Sequence, residues 1–519
     1  MKVTGMSEGL CKAGVNRLIN GVWRSLFASL IMAVAVVWPH AAQAGSTSTD
    51  FYTGADLSLL PYMESLGQTF TDGGQAEPVL ATFKNHGSNI VRVRLWVNPS
   101  KADIQVNDLA YTVALSQRIK RAGLSVLLDI HYSDTWADAG QQAKPAAWYS
   151  LSDDQLKAQV KSYTADVIAT MRKAGAMPDI VQIGNETTDG MLWPTGRISL
   201  TGWSGFSTLL KAGIQGVKEG RGHAPMPKIM VHIDRGGDWG AVQWYYDNLA
   251  TQGVEYDIIG LSYYPYWHGS LDVAKTVLTN TANRYDKHVM VVETGYPFEG
   301  TWSGSWITHP ITPAGQRQFL IDLVTHVRNL PEGRGMGVVF WAPEWIWVTG
   351  QTSSWGWKTL YDDNGGALPG IAALGGLLDP SRSYRIVNHM SGKALQVGDA
   401  SGSNGAVISQ WAFGGGSHQQ WSFTGNADGY FTLKALHSGK VLDNVASSAD
   451  GAYVVQSAPT GSASQQWDFV DVGGGYFKIV NRQSGKVLDN ASAYANGGWV
   501  SQRTYCNGLE QQWSIVPVN

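Results

Sequence analysis

The stretch DIVQIGNETTDG, residues 179–190, decides how this chain folds. An apolar run halts at Gly184 and sets Asn185 and Glu186 side by side. Such a run, without polar alternation, reads as a strand buried on both faces, as in a parallel sheet. A plain turn of Gly, Asn and Thr, with the Glu facing water, would end the strand equally well. The turn demands nothing of the remaining sequence. A cleft demands further strands with polar ends and a second carboxylate.

Residues 51–368 meet that demand. Short β-rich runs recur: FYTGADLSLL (51–60), NIVRVRLW (89–96), LSVLLDIHY (124–132), DIVQIG (179–184), KIMVHID (228–234), YDIIGLSYY (256–264), HVMVVE (288–293) and MGVVFW (336–341). Between them lie segments such as LAYTVALSQRIKRAG and TPAGQRQFLIDLVTHVRNL, apolar at helical spacing. Eight strands alternating with helices predict an α/β fold, a (β/α)8 TIM barrel. A doubly wound open sheet is the rival, but no Gly-rich phosphate fingerprint follows the first strand. The strand ends read Asp56; Arg92, Arg94, Trp96; Asp129, His131, Tyr132; Asn185, Glu186; His232, Asp234; Tyr263, Tyr264; Glu293; and Trp341. In a barrel all of these would gather in one mouth.

Composition narrows the function. A net charge of −3 argues against nucleic acid or an anionic membrane as partner. With 22 tryptophans and only 15% charged residues, the chain suits a carbohydrate cleft, where indoles stack on sugar rings; a large aromatic core is the other reading. Lys2, Lys12, Arg17 and Arg24 precede an apolar run of 14 residues and then Ala42-Gln43-Ala44. This predicts a signal peptide over 1–44 and a secreted protein, extracellular or periplasmic, with no membrane association after cleavage. An uncleaved anchor is the alternative. Of the two cysteines, Cys11 lies in the leader and Cys506 in the mature chain, so no intramolecular disulfide is expected after cleavage.

Residues 369–381 are Gly/Pro-rich and read as a linker or as the last barrel helix. Beyond them a repeat begins. QQW places tryptophans at 421, 467 and 513, a period of 46 residues, and SGK begins at 391, 438 and 484. Three β-rich units over 382–519, each too short to bury its own core, predict a threefold all-β domain.

Glu186 and Glu293 end the fourth and seventh strands, 107 residues apart. Glycoside hydrolysis needs one carboxyl to protonate the leaving oxygen and another to support the oxocarbenium-like centre. The acid must stay protonated through burial or a neighbouring carboxylate, while Glu293 stays ionised if Arg or Tyr groups donate to it. Asn185-Glu186, Glu293 and Trp341 resemble the retaining barrel glycosidases. The motifs GADLSLLPYMES, RVRLWVNP, LLDIHYSDTWADAGQQAKPAAW, QIGNETTDGMLWP, GLSYYPYWHG, VVETGYP and FWAPEW resemble glycoside hydrolase family 53, the endo-β-1,4-galactanases, from about 51 to 360.

That resemblance implies a β-1,4-galactan or type I arabinogalactan substrate and no cofactor. It implies Glu186 as general acid/base, Glu293 as nucleophile, and Asn185 on the sugar 2-hydroxyl. Arg94 and Tyr264, with Tyr263 as runner-up, would orient the nucleophile, and Trp341 would floor the −1 sugar. His131, Asp134, Trp136, His232 and Trp345 are cleft candidates or structural residues. Glu344 reads as a structural hydrogen-bonder. No calcium loop is carried over, since YPFEGTWSGSWITHP lacks closely spaced aspartates; Asp362, Asp363 and Asn364 are a weak cation candidate.

The Q-x-W repeats resemble the ricin-B-type β-trefoil, a family that binds sugars with an Asp and a stacking aromatic in each lobe. The Asp position holds Gln396, Asp443 and Asp489; the aromatic position holds Trp411, Ser457 and Arg503, with Tyr453 or Trp499 as substitutes. The carbohydrate contacts expected here are Asp443, Asp489 and Trp411. The expected whole is a monomeric enzyme with a sugar-binding module. A related glycosidase acting on mannan or β-glucan and a lectin-like protein with an inactive barrel are the alternatives.

Overall fold

The computed structural model describes residues 51–302, 306–348, 353, 355–426, 429–491 and 493–518. The leader over 1–44 and its cleavage point lie outside the described residues. Eight parallel strands close into a barrel: β1 Tyr52–Asp56, β2 Ile90–Leu95, β3 Ser125–Ile130, β4 Ile180–Ile183, β5 Lys228–Ile233, β6 Ile258–Tyr263, β7 His288–Thr294 and β8 Gly335–Trp341. Each pairs with its sequence neighbours, and β1 closes on β8 with Asp56 opposite Trp341. All eight runs read from the sequence are these strands.

A helix follows each strand: α1 Val79–Asn85, α2 Leu109–Arg121, α3 Asp153–Lys173, α4 Trp203–Gly220, α5 Trp239–Thr251, α6 Leu271–Arg284, α7 Pro313–Arg328 and α8 Gly370–Leu374. Their starts are chemically marked. Asp108, Ser152, Asp238, Ser270 and Thr312 each accept a hydrogen bond from a first-turn backbone N–H. The lower barrel interior is packed with Ile90, Leu127, Ile180, Met230, Ile258, Met290, Val292, Met336 and Val339, so only the upper end can open into a site. α8 occupies part of the Gly/Pro-rich stretch, and the first strand of the next domain begins at Ser383.

That second domain is an antiparallel trefoil. Trp421, Trp467 and Trp513 are fully buried, and their indole N–H groups donate to the carbonyls of Leu395, Leu442 and Leu488 at 3.0, 3.1 and 3.1 Å. At the pseudo-threefold axis Ile408 N–H donates to Val454, Val454 to Val500, and Val500 back to Ile408. No repeat completes this ring alone, which is why three occur together. The strand Ser383–Asn388 pairs along its whole length with Trp513–Val518.

The trefoil packs on the barrel. Arg317 on α7 pairs with Asp468 at 3.1 Å and donates to the Gly429 carbonyl. His86, after α1, lies 3.1 Å from Asp72 and 3.0 Å from Asp471 of the trefoil. Gly73, at φ +54°, lies so close to Val472 that a Cβ there would fall 2.0 Å from the Val472 backbone. Among the described residues no helix is long and apolar enough to cross a membrane.

Candidate active site

The upper end of the barrel opens into a cleft of about 370 Å³. Its chemistry begins at the end of β4. Gly184 takes φ +79°, which L side chains avoid, and turns the chain out of the strand. Glu186 itself stands at φ +44°, a strained position for a residue with a Cβ, and is half-buried. Held this way, Asn185 and Glu186 both face the cleft, with Glu293 from β7 close by. Oxygens of Glu186 and Glu293 and a nitrogen of His232 lie within 4.8 Å of one another.

The two carboxyls have different neighbours. Glu293 Oε1 accepts from Arg92 at 2.8 Å and its Oε2 from the Tyr264 hydroxyl at 3.0 Å. Among the described residues Glu186 Oε1 meets only a neutral partner, the Ser262 hydroxyl at 2.6 Å. Burial raises both carboxyls. Glu293 reaches about 7, with Arg92 and Tyr264 opposing the rise while Asp129 and Asp56 add to it. Glu186 is pushed well above the carboxylate range by burial, then by the charges of Glu293 and Asp234, with a hydrogen bond from Ser262 opposing the rise and Asp138 adding to it. The cationic and phenolic partners thus favour the charged form on Glu293 over Glu186.

Arg92 is the hub below them. Its guanidinium is buried and pairs with Asp56 at 2.7 Å and Asp129 at 2.8 Å, besides Glu293, and donates to Asn185 Oδ1 at 2.8 Å. The cation at Glu293 is thus Arg92, not the Arg94 expected from the sequence. Both side chains rise on the same face of β2, and the barrel stagger puts Arg92 opposite Asp56 and Arg94 opposite Asp129. Arg94 instead lies over the rings of Trp136 and Trp96, 4.2 and 4.5 Å from their centroids, and donates to Asn107. It lines the cleft wall without touching either glutamate.

Tyr264 reaches Glu293, whereas Tyr263 points outward, donating to Gly269 and stacking on Phe319. Asn185 spends one amide hydrogen on the Ala137 carbonyl at 2.8 Å and retains the other. His131 lines the cleft; its Nδ1 accepts from Trp96 and Ala137, so its Nε2–H is directed at Asp129, 2.8 Å away. His232, expected among the substrate contacts, is fully buried, between Asn185 and Ser262. Asp134 binds the backbone of Asn98 and Ala146 and so ties loops together. Glu344 is buried, accepts from Leu59 N–H, and is raised by burial to about 8. Asp362 caps its own turn through Asn364 and Gly366 N–H.

Trp136, Trp341, Trp345 and Trp355 wall the cleft, and Trp355 packs edge-on against Trp341 at 4.6 Å. Trp267, 58% exposed, extends this wall outward. Trp267, Trp355, Ser262 and Gln182 carry no signal in the sequence, because nothing near them distinguishes a cleft aromatic or hydroxyl from a packed one.

In the trefoil, Asp443 accepts from Val445 N–H and Gln465, and Asp489 accepts from Ala491 N–H and Gln511. Gln396 takes the corresponding bond from Gln419 in the first repeat. Trp411 is 44% exposed and shares a concave surface with Gln396 and Trp499. Trp499 in turn packs on Tyr453, ring centroids 4.8 Å apart.

Residues 52–374 match the family model for glycosyl hydrolase family 53, and residues 377–457 and 463–519 match that for the ricin-type beta-trefoil lectin domain-like family. The chain is 36% identical over 335 residues to an arabinogalactan endo-beta-1,4-galactanase of Thermothelomyces thermophilus, covering 62% of this chain and 98% of the relative. It is 41% identical over 347 residues to an uncharacterised protein of Niallia circulans, covering 62% and 93%. Among solved structures, a family 53 catalytic domain from Ignisphaera aggregans superposes with a TM-score of 0.58 at 32% identity, covering 63% of this chain and 96% of that one.

Proposed function

The chain belongs to glycosyl hydrolase family 53, and on that footing we propose that it is an exported, retaining endo-β-1,4-galactanase acting on galactan or arabinogalactan. The galactanase relatives support the substrate. The observation that carries the mechanism is the unequal carboxyl pair. Glu186 and Glu293 bring a carboxyl oxygen each within 4.8 Å of one another, an approach that supports the ~5–5.5 Å carboxyl spacing of retaining enzymes over the ~6.5–9.5 Å of inverting ones. One of the pair faces a guanidinium and a phenol; the other faces a serine.

In the first step a Glu293 oxygen forms a bond to the anomeric carbon while the glycosidic C–O bond breaks. The leaving oxygen keeps the electron pair and takes the proton from Glu186. In the second step Glu186, now a carboxylate, accepts a proton from water, and the hydroxide equivalent displaces Glu293 from the anomeric carbon. The spare amide hydrogen of Asn185 is available to the 2-hydroxyl, where bonds strengthen in the transition state. Trp341 offers a face to the −1 sugar, with Trp136, Trp345 and Trp267 continuing the aromatic wall. Export rests on the basic leader, the apolar run and Ala42-Gln43-Ala44. The trefoil is a carbohydrate-binding module, with Asp443, Asp489 and Trp411 as its contacts.

The test is incubation of the mature protein with β-1,4-galactan, mannan, xylan and a β-glucan. Proton NMR follows the anomer first released. Galactan alone should give oligosaccharides, with the β-anomer appearing first, and Glu293→Gln should abolish the release. Release from mannan or β-glucan but not galactan overturns the substrate; first appearance of the α-anomer overturns the mechanism.

A further inference from the structure

We propose that Ser262 and His232 form a directional hydrogen-bond relay that keeps the proton on Glu186 until the leaving oxygen takes it. Neither residue touches substrate, so both are positioning residues, and the proposal rests on Glu186 as the acid/base.

The direction of the relay follows from what each atom can do. Asn185 Oδ1 receives hydrogen bonds from Arg92 at 2.8 Å and from Gln182 Nε2 at 3.1 Å. Arginine has no acceptor, so this atom is the amide oxygen, and an oxygen cannot donate. His232 Nδ1 lies 3.1 Å from it, a contact that is a hydrogen bond when Nδ1 carries the imidazole hydrogen. The Glu186 backbone N–H also points at Nδ1, from a longer 3.4 Å, and would hold the opposite tautomer; the shorter contact to the amide oxygen favours the hydrogen on Nδ1. His232 is fully buried, and burial, then Arg92, push its pKa well below the usual range, so the ring is neutral and has only that one hydrogen.

His232 Nε2 is then an acceptor. Its neighbour is Ser262 Oγ at 2.8 Å, and a hydroxyl has one hydrogen to give. Toward an ionised Glu186 the Ser262 hydroxyl, 2.6 Å from Oε1, donates and lowers the carboxyl's pKa; with its hydrogen on Nε2, Ser262 Oγ instead accepts from a protonated Glu186. The chain is fully satisfied only when the Glu186 carboxyl supplies the remaining hydrogen. Once Glu186 has given its proton away, the Ser262 hydrogen can turn to the carboxylate, but the buried Nε2 is then left without a donor, which has a cost. The other groups facing Glu186 push the same way: Glu293 from β7, Asp234 beyond β5 and Asp138 beyond β3 are all acidic. Arg92 from β2 is committed to Glu293, Asp129 and Asp56, and Tyr264 beyond β6 donates to Glu293.

Ser262→Ala deletes the relay and spares the glutamates. The expected outcome is an alkaline limb of kcat/KM displaced downward by about one pH unit, since Glu186 loses the bond that favours its acid form. Turnover of galactan should fall roughly tenfold to a hundredfold, while glycosylation by an aryl β-galactoside of an acidic phenol, which needs no proton, stays within about threefold. Ser262→Thr, which keeps the hydroxyl, should restore both. If Ser262→Ala does not fold, Ser262→Cys, close in volume and a weak acceptor, should shift the limb in the same direction. An alkaline limb that stays in place or moves upward overturns the relay, because it would make Ser262 a plain donor to the carboxylate. Glu186→Gln is the reference. If it fails to separate galactan from the aryl substrate, the acid/base assignment falls; if it separates them and Ser262→Ala does not, only the relay falls.

Discussion

Arg92 answers three buried carboxylates at once, and only one of them, Glu293, is proposed to react. A lysine there could place a charge but not the planar fork that spans Asp56, Asp129 and Glu293. Arg92→Lys should lower kcat/KM on galactan by about a hundredfold or more, as expected when preorganised charge is lost. It should also move the acid limb of the pH profile upward, because Glu293, already raised by burial to about 7, loses its main opposing cation. Steady-state kinetics across pH check both. The same shift makes a stability prediction. The folded-state value of Glu293 lies above its unfolded value, so its carboxyl favours the native state below about pH 4.3 and that contribution is lost as pH rises through about 7. Glu293→Gln, which cannot ionise, should therefore gain in Tm over the wild type between pH 5 and pH 8, seen by thermal scanning at several pH values. The two glutamates were legible in the sequence because an acid at the end of an apolar strand is conspicuous. Arg92 and Arg94 were not separable, since they share one face of β2 and only the closed barrel decides which level each occupies.

At the scale of single elements, the barrel is written in local signals. Each strand is an apolar run and the long helices carry apolar stripes, so eight strands alternating with helices could be read without knowing their arrangement, while α1 and α8 are too short to show such a stripe. Ends are more precise than periodicity alone allows, as α3 shows. Ser152 accepts from Gln155 N–H at 3.3 Å, and the Gln155 side chain accepts from Ser152 N–H at 2.9 Å, a reciprocal cap. Ser152→Ala should destabilise the protein by about 1 kcal/mol, which for a domain of this size lowers Tm by roughly 2–4 °C. Galactan hydrolysis should be unchanged at 25 °C, because α3 lies outside the barrel and its cap contacts no cleft residue. Unlike the caps, the strand register could not be read. The pairing of β6 with β7 shifts between Leu261 and Ser262, bringing Ser262 opposite Glu293, and nothing in either sequence marks that irregularity.

Over the whole molecule, two folds of different symmetry meet through a few charged groups. Burial alone would lower the pKa of His86, but Asp471 and Asp72 outweigh it and raise it to about 10. Its folded value thus exceeds the unfolded value of about 6.5, so the stabilisation is fully present below that pH and is lost as pH rises through about 10. Calorimetry should show barrel and trefoil unfolding together near pH 6 and separating toward pH 10. Asp471→Asn should bring that separation down toward neutral pH. The trefoil was legible because its repeat keeps the QQW and SGK spacing constant. The contact that joins it to the barrel was not, because Asp72, His86 and Asp471 are brought together only by tertiary packing.

The pairing of Ser383–Asn388 with Trp513–Val518 has a practical outcome. Ser383 sits directly opposite Val518, so the chain enters and leaves the trefoil at a single seam. A cassette cut at that seam has both ends side by side, as grafting into a surface loop requires. It can be spliced into the middle of another enzyme as readily as tethered to one end.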